Sequence, residues 1–174
     1  MNRDQALEEL KLRLFDKDIL LRSIFVEAIM EELAGYFNAD IHLWGLAGLL
    51  HDIDYEKTLE HPELHGIKGA DILENMDIDE AIIYSVRAHN DLNNIPRKRK
   101  MDKALYLADF VSDEILVRWK AEKESLKRVT ALDIKSSLEN RGLGSKEFEE
   151  LDLSTEDFID LSLAAIRSSA KVDL

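Results

Sequence analysis

Histidine and aspartate side chains at four points of the chain have the chemistry of a divalent metal site. The apolar stretch LWGLAGLLHDID, residues 43–54, runs directly into His51 and Asp52 without a turn residue. Three further residues of these types interrupt apolar helical patterns: His65, His89 and Asp109. The chain contains no cysteine, so any metal must be held by His, Asp or Glu.

The positions of these histidines and aspartates on apolar helix faces are informative, because burying a polar group without a hydrogen-bond partner costs a few kcal/mol. A lone histidine on an apolar face, such as His89, is usually a core residue that is satisfied locally. Several imidazoles and carboxylates that converge from separate helices are instead what a metal ion requires. His42 and His61 fall outside the pattern and are predicted to lie on the surface.

Helices must position these residues, because the apolar residues recur with helical spacing and no strand-like alternation is evident. The composition agrees, with 7 glycines and 2 prolines in 174 residues, 45% hydrophobic and 34% charged. Local signals predict the following helices: residues 3–14; about 17–37 after the N-cap Asp16; about 41–51 after Asp40; Pro62 to about 75; 80–89 after Asp79; Asp102 to about 120; one that ends near Gly142; and one from Ser154 or Thr155 to about Ala170.

Charge and hydropathy narrow the classes of partner. A net charge of −13 disfavours binding to a nucleic acid polymer. The one dense basic run, RKRK at 97–100, is interpreted as a solvated loop within NDLNNIPRKRK. No apolar run approaches the roughly 20 residues that span a bilayer. The N-terminus also lacks the layout of a signal peptide, so a cytoplasmic protein without a membrane partner is expected.

Four stretches carry a resemblance to a known family: WGLAGLLHDIDYEK, HGIKGADIL, AIIYSVRAHN and DKALYLADFVSD. In this order they resemble the HD-domain superfamily of metal-dependent phosphohydrolases, and specifically its small bacterial HDIG-like members. The similarity spans about residues 15–120. It implies a single all-α, HD-type helical bundle over residues 1–174. The C-terminal helices, 121–174, are expected to cover the core and are candidates for a homodimer contact.

The resemblance also implies roles for the candidate residues. His51, Asp52 and Asp109 match the residues that hold a metal in the family, which would be Mn, Mg, Fe, Co, Ni or Zn. His65 and His89 match the pair that serves a second metal or the substrate phosphate, and Asp52 is also expected to orient the attacking water. The implied activity is hydrolysis of a nucleotide or another small phosphate ester.

Other polar residues are assigned supporting roles. Lys68, Arg97 and Arg22 are the candidates for binding the phosphates of a small phosphorylated substrate. Asp54 and Asp113 are candidate outer acids, Asp113 because it lies one helical turn after Asp109.

Arg22 departs from the family pattern. The family has its first histidine four residues before a valine, and here the segment RSIFVEA places Arg22 four residues before Val26. Arginine has no lone pair to offer a metal and does not lose its proton in a protein. Three interpretations follow: the metal is kept with water in place of the imidazole, the guanidinium replaces the metal by pairing with Asp52 and Asp109, or Arg22 turns to solvent or to an acid such as Glu56.

These interpretations correspond to different functions. A retained metal predicts a phosphohydrolase. A lost metal predicts a catalytically impaired HD-scaffold protein that binds a phosphorylated ligand or regulates another process. A di-iron oxygenase is a third possibility, since some relatives use the scaffold in this way, but the missing first histidine counts against it.

Overall fold

A computed structural model describes residues 1–121 and 127–169, and in this part of the chain all regular secondary structure is helical, with no β-strand. The predicted all-α fold class is therefore confirmed. The helices are α1 (Arg3–Lys11), α2 (Lys17–Tyr36), α3 (Ile41–Leu50), α4 (Ile67–Glu74), α5 (Glu80–Ala88), α6 (Lys100–Ala121), α7 (Ala131–Asn140), α8 (Ser145–Glu149) and α9 (Thr155–Ser168). Short 3₁₀ turns lie at Tyr55–Lys57, Pro62–Leu64 and Asp91–Asn93.

Side-chain caps begin four of these helices where the sequence predicts them. Asp16, Asp40, Asp79 and Ser154 each accept a hydrogen bond from a backbone N–H in the first turn of α2, α3, α5 and α9. Such a bond satisfies one of the N–H groups that a helix start leaves without a partner. Gly142 follows α7 with a φ of +85°, as expected for a glycine after a helix end. The predicted end of α9 near Ala170 lies outside the described residues.

Helix α2 forms the centre of the hydrophobic core and packs against α3, α6 and α9. Its fully buried side chains include Phe25, Val26 and Leu33. Gly48 lets α3 cross α2 closely, since a Cβ there would lie 2.7 Å from the carbonyl oxygen of Val26. This close crossing brings the end of α3, and with it the His51–Asp52 doublet, next to α2.

The helix predicted from Pro62 to about residue 75 is wrong as a single element. Pro62 begins only a 3₁₀ turn, and α4 starts at Ile67 after Gly66, whose φ is +81°. A Cβ at Gly66 would lie 2.7 Å from the carbonyl oxygen of Val86, so the close approach of α5 also requires glycine. The break leaves His65 in extended conformation between the two pieces.

The C-terminal helices cover one side of the core. Helices α7 and α9 pack against each other and against α6, and Phe148 of α8 contacts Phe158 of α9 with ring centroids 5.2 Å apart. Helix α8 was not predicted from the sequence. Within residues 1–121 and 127–169, no helix combines the length and the apolar character that crossing a bilayer requires.

Candidate metal centre

The fold brings the five predicted ligands into one largely buried cluster, whose interior we call the pocket. His51 and Asp52 follow α3, His65 precedes α4, His89 follows α5, and Asp109 lies within α6. They form two overlapping groups of three, and within each group the ligand atoms lie within 4.8 Å of one another. We call His51, Asp52 and Asp109 the first triad, and Asp52, His65 and His89 the second triad. Asp52 belongs to both.

Backbone carbonyls fix the orientation of two of the imidazole rings. His51 Nδ1 lies 2.8 Å from the carbonyl oxygen of Gly48, and His89 Nδ1 lies 2.6 Å from that of Val86. A carbonyl can only accept, so Nδ1 is the donor in both rings. Nε2 therefore faces the pocket, which is the arrangement that metal-binding histidines commonly show.

The second triad contains a buried acceptor that makes no hydrogen bond within residues 1–121 and 127–169. His65 Nε2 lies 3.0 Å from His89 Nε2 and 3.3 Å from Asp52 Oδ1. Asp52 is fully buried, yet its Oδ1 has no hydrogen bond of acceptable geometry to any described residue. Buried polar atoms are almost always paired. A carboxylate oxygen beside two imidazole nitrogens is suited to a divalent metal, so these residues fit the group that the sequence predicted.

Asp54 contacts the second triad on the side of His65 that faces away from the other ligands. Its Oδ2 accepts the backbone N–H groups of Gly66, at 2.9 Å, and Gly69, at 2.7 Å. Its Oδ1 lies 3.0 Å from His65 Nδ1, as an ion pair without hydrogen-bond alignment. Asp54 therefore links the doublet loop to the start of α4 and sets its carboxylate against the far side of the His65 ring.

Arg22 enters the pocket from α2 on the side of the first triad. Its Nε donates to Asp52 Oδ2 at 3.0 Å, and its Nη2 donates to the same oxygen. Its Nη1 donates to Asp113 Oδ1 at 2.9 Å, while Asp109 Oδ1 lies 3.8 Å from Nε. The interpretation in which Arg22 turns to solvent or to Glu56 is therefore wrong. The partner carboxylates come from the doublet and from α6, both of which pack against α2.

Tyr55, which was not among the residues predicted from the sequence, is a neighbour of Arg22. The Arg22 guanidinium carbon lies 5.0 Å from the centre of the Tyr55 ring. The His65 ring packs edge-on against the same tyrosine with a centroid distance of 5.7 Å. Its position directly after the HDID motif was the available signal.

The carboxylates of the first triad are held in their charged form. Burial opposes ionisation of Asp52, but His51 and Arg22 hold its pKa well below the usual range. Burial likewise opposes ionisation of Asp109, yet Arg22 and His51 lower its pKa to about 2. Burial raises the pKa of Asp113, and the charge of Asp109 adds to this effect.

The three imidazoles differ in protonation. Burial opposes the charge of His51, but Asp52 and Asp109 raise its pKa to about 10. Burial also opposes the charge of His65, whose pKa is raised to about 9 by Asp52 and Asp54. Burial and the neighbouring histidines lower the pKa of His89 to about 4. At neutral pH the ion-free His65 therefore donates from Nε2 to a neutral His89.

The other two predicted phosphate-binding residues lie outside this cluster. Lys68 is exposed, and its Nζ lies 3.3 Å from Asp71. Arg97 pairs with Asp91, and its guanidinium carbon lies 3.5 Å from the centre of the Tyr106 ring. His42 and His61 are exposed, as predicted.

Comparison with known proteins agrees with this geometry. The family model described as "HD domain" matches residues 20–139. This chain belongs to the HD domain family. The resemblance inferred from the motifs is thereby confirmed, and the helical bundle described above is an HD-type bundle.

Among curated proteins, ribonuclease Y sequences match this HD domain. Ribonuclease Y of Nitratidesulfovibrio vulgaris strain DP4 is 31% identical over 98 residues, which cover 56% of this chain and 18% of that protein. Ribonuclease Y of Mesoplasma florum is 30% identical over 102 residues, covering 56% of this chain and 19% of that protein. The matched region is thus under a fifth of each relative. No solved structure matches the chain.

Proposed function

We propose that this HD domain is a metal-dependent phosphohydrolase that acts on a nucleotide or another small phosphate ester. The observation that carries the proposal is Asp52 Oδ1, a buried oxygen that has no hydrogen bond among the described residues and lies 3.3 Å from His65 Nε2. His89 Nε2 lies a further 3.0 Å from His65 Nε2. Mixed imidazole and carboxylate donors suit Mn, Fe, Co, Ni and Zn, whereas Mg prefers oxygen ligands alone.

Residues of the second triad, Asp52, His65 and His89, would hold the ion. When bound, a divalent ion lowers the pKa of a water molecule and stabilises negative charge on a phosphate oxygen. The chain's own contribution is to keep the donor atoms fixed: Asp54 faces the far nitrogen of His65, and the carbonyl of Val86 orients His89. Asp52 would also orient the attacking water.

Charge supports a small ester in preference to RNA. The names of the relatives raise the possibility of an RNA substrate, but their matched region is a small part of each protein. The net charge of −13 repels a polyanion. The basic run is also largely neutralised within the chain, where its side chains pair with acids as follows: Arg97 with Asp91, Arg99 with Asp102 and Lys100 with Asp152.

Turnover of a substrate panel tests the proposal. Nucleotides, an aryl phosphate and a short oligoribonucleotide are incubated with the full chain and Mn²⁺, Mg²⁺, Co²⁺ or Ni²⁺. We expect metal-dependent release of phosphate or nucleoside monophosphate from a small ester, and its loss in Asp52→Ala. Asp71→Ala is the matched control, because this half-exposed carboxylate pairs with Lys68 outside the site. Equal turnover in Asp52→Ala, or none with any substrate and metal, contradicts the proposal.

A second candidate function is a binding or regulatory protein without catalysis. The observation that favours it is the engagement of Asp52 Oδ2 by Arg22, which ties up one oxygen of the central ligand. Under this alternative the wild-type chain is inactive with every metal, and Arg22→His recovers turnover. Activity of the wild-type chain excludes it.

A further inference from the structure

We infer that this chain binds a single divalent ion, at the second triad, and that the Arg22 guanidinium permanently takes the place of an ion at the first triad. The inference rests on the proposed function in that it assumes a divalent metal. It deepens that function by stating which of the two ligand groups is used and why the other is not.

Asp52 divides its two oxygens between the triads. Oδ2 accepts both Nε and Nη2 of Arg22 and lies 3.2 Å from His51 Nε2. Oδ1 points to His65 and makes no hydrogen bond within the described chain. A guanidinium therefore already occupies the oxygen that faces the first triad. The oxygen that faces the second triad is left for an ion, and Asp52 becomes a bridge between two cations.

Arg22 is anchored in this position. Its Nη1 donates to Asp113 Oδ1 at 2.9 Å, and the other Asp113 oxygen lies 3.3 Å from Arg141 Nη2. An ion entering the first triad would have to displace these bonds. Because arginine stays protonated, displacement would leave a buried charge without its partners, and an undisplaced guanidinium would repel the ion.

The second triad is complete without Arg22. His89 is oriented by the Val86 carbonyl, and His65 faces Asp54. None of these orienting groups belongs to the first triad or contacts the guanidinium in the described structure. The ligand atoms of Asp52, His65 and His89 lie within 4.8 Å of one another. The donor set of a three-ligand site is therefore assembled on the side of Asp52 that Arg22 leaves open.

Metal counting with single substitutions tests the inference. Chelator-treated full chain is dialysed against Co²⁺, and bound cobalt is measured. We expect one ion per chain in the wild type, binding weakened by more than about tenfold in His89→Gln, and one ion retained in Asp109→Asn. The reverse pattern, with loss in Asp109→Asn and retention in His89→Gln, overturns the inference. So does the finding of two ions, or of none, in the wild type.

Substitution of Arg22 provides the complementary experiment. Arg22→His removes the fixed charge and adds a ligand, so two ions per chain are expected. Arg22→Lys keeps the charge and is the matched control, with one ion expected. One ion in Arg22→His, or two in Arg22→Lys, contradicts the role given to the guanidinium. Circular dichroism verifies that each variant is folded.

A measurement on the wild-type chain tests the inference without any substitution. In ¹⁵N spectra of the histidine side chains, Zn²⁺ should shift Nε2 of His65 and His89 and leave His51 nearly unchanged. A shift of His51 alone contradicts the inference. These metal-binding experiments contain no substrate and are therefore independent of the turnover assay. If an ion binds at the second triad but the chain turns over no substrate, only the proposed function is refuted. Turnover with an ion at the first triad refutes only this inference.

Discussion

Removing the Arg22 charge should destabilise the ion-free chain strongly. The guanidinium is about one-tenth exposed and donates to Asp52, which is fully buried, and to Asp113. Arg22→Met keeps most of the apolar stem but leaves the carboxylates of Asp52, Asp109 and Asp113 without their shared cation. The structure thus predicts an effect much larger than that of a surface ion pair.

The magnitude follows from burial and distance. Asp109 Oδ1 lies 3.8 Å from Arg22 Nε, and unit charges about 4 Å apart attract by about 4 kcal/mol at an effective dielectric constant of about 20. Desolvation offsets part of this attraction. Removal of one partner of a buried ion pair costs about 3–5 kcal/mol. We therefore expect Arg22→Met to lose about 3–5 kcal/mol of unfolding free energy, or roughly 6–20 °C in thermal midpoint.

Urea unfolding in the presence of EDTA is the assay, with Arg87→Met as the matched control. Arg87 pairs with the half-exposed Glu74 at 2.7 Å near the surface, so its replacement should cost at most about 1 kcal/mol. Added divalent ion should restore part of the stability of Arg22→Met, because an ion can then bind the freed carboxylates. A loss below about 1 kcal/mol for Arg22→Met would refute the view that its charge balances the pocket.

Three further predictions concern the second triad. Gly66→Ala should lose about 1–3 kcal/mol in urea unfolding and weaken Co²⁺ binding, because φ is +81° and the new Cβ would meet the Val86 carbonyl; wild-type values for both would contradict the role of this turn. Asp54→Asn should weaken Co²⁺ binding about 10–100-fold by removing the charge behind His65, and unchanged calorimetric affinity would count against it. The pKa of ion-free His65 is raised to about 9, so ion binding must displace its proton below that pH. Affinity should therefore rise by up to about tenfold per pH unit between pH 6 and 8, with proton release seen by calorimetry in two buffers; a flat profile would oppose it.

Local signals made the helix starts predictable. Asp16, Asp40 and Asp79 cap their helices through side chains two or three residues from the N–H they bind, so the information lies within one turn. The break at Gly66 could not be predicted in this way. Its causes are the carboxylate of Asp54, 12 residues earlier, and the backbone of Val86, which only the tertiary fold brings close.

The residues of the candidate site could be predicted from the sequence, but not all of the hydrogen bonds between them. The order of the motif residues identified His51, Asp52, His65, His89 and Asp109, and the structure brings them together. For Arg22, the sequence offered Asp52 and Asp109 as partners, but its bond to Asp113 required coordinates. Asp113 is 91 residues away in the sequence, and its contact depends on how α6 packs against α2.

The different partners of the two Asp52 oxygens also could not be predicted, since no sequence pattern shows which oxygen of a carboxylate already accepts a hydrogen bond. The structure assigns Oδ2 to Arg22 and leaves Oδ1 without a hydrogen bond among the described residues.

A crystal structure of the chain soaked in Co²⁺, with anomalous diffraction data, tests the central claim most directly. We predict a single anomalous peak among Asp52 Oδ1, His65 Nε2 and His89 Nε2, with the Arg22 guanidinium still bound to Asp52 Oδ2. A peak between His51 and Asp109, with Arg22 displaced from Asp52, would contradict it.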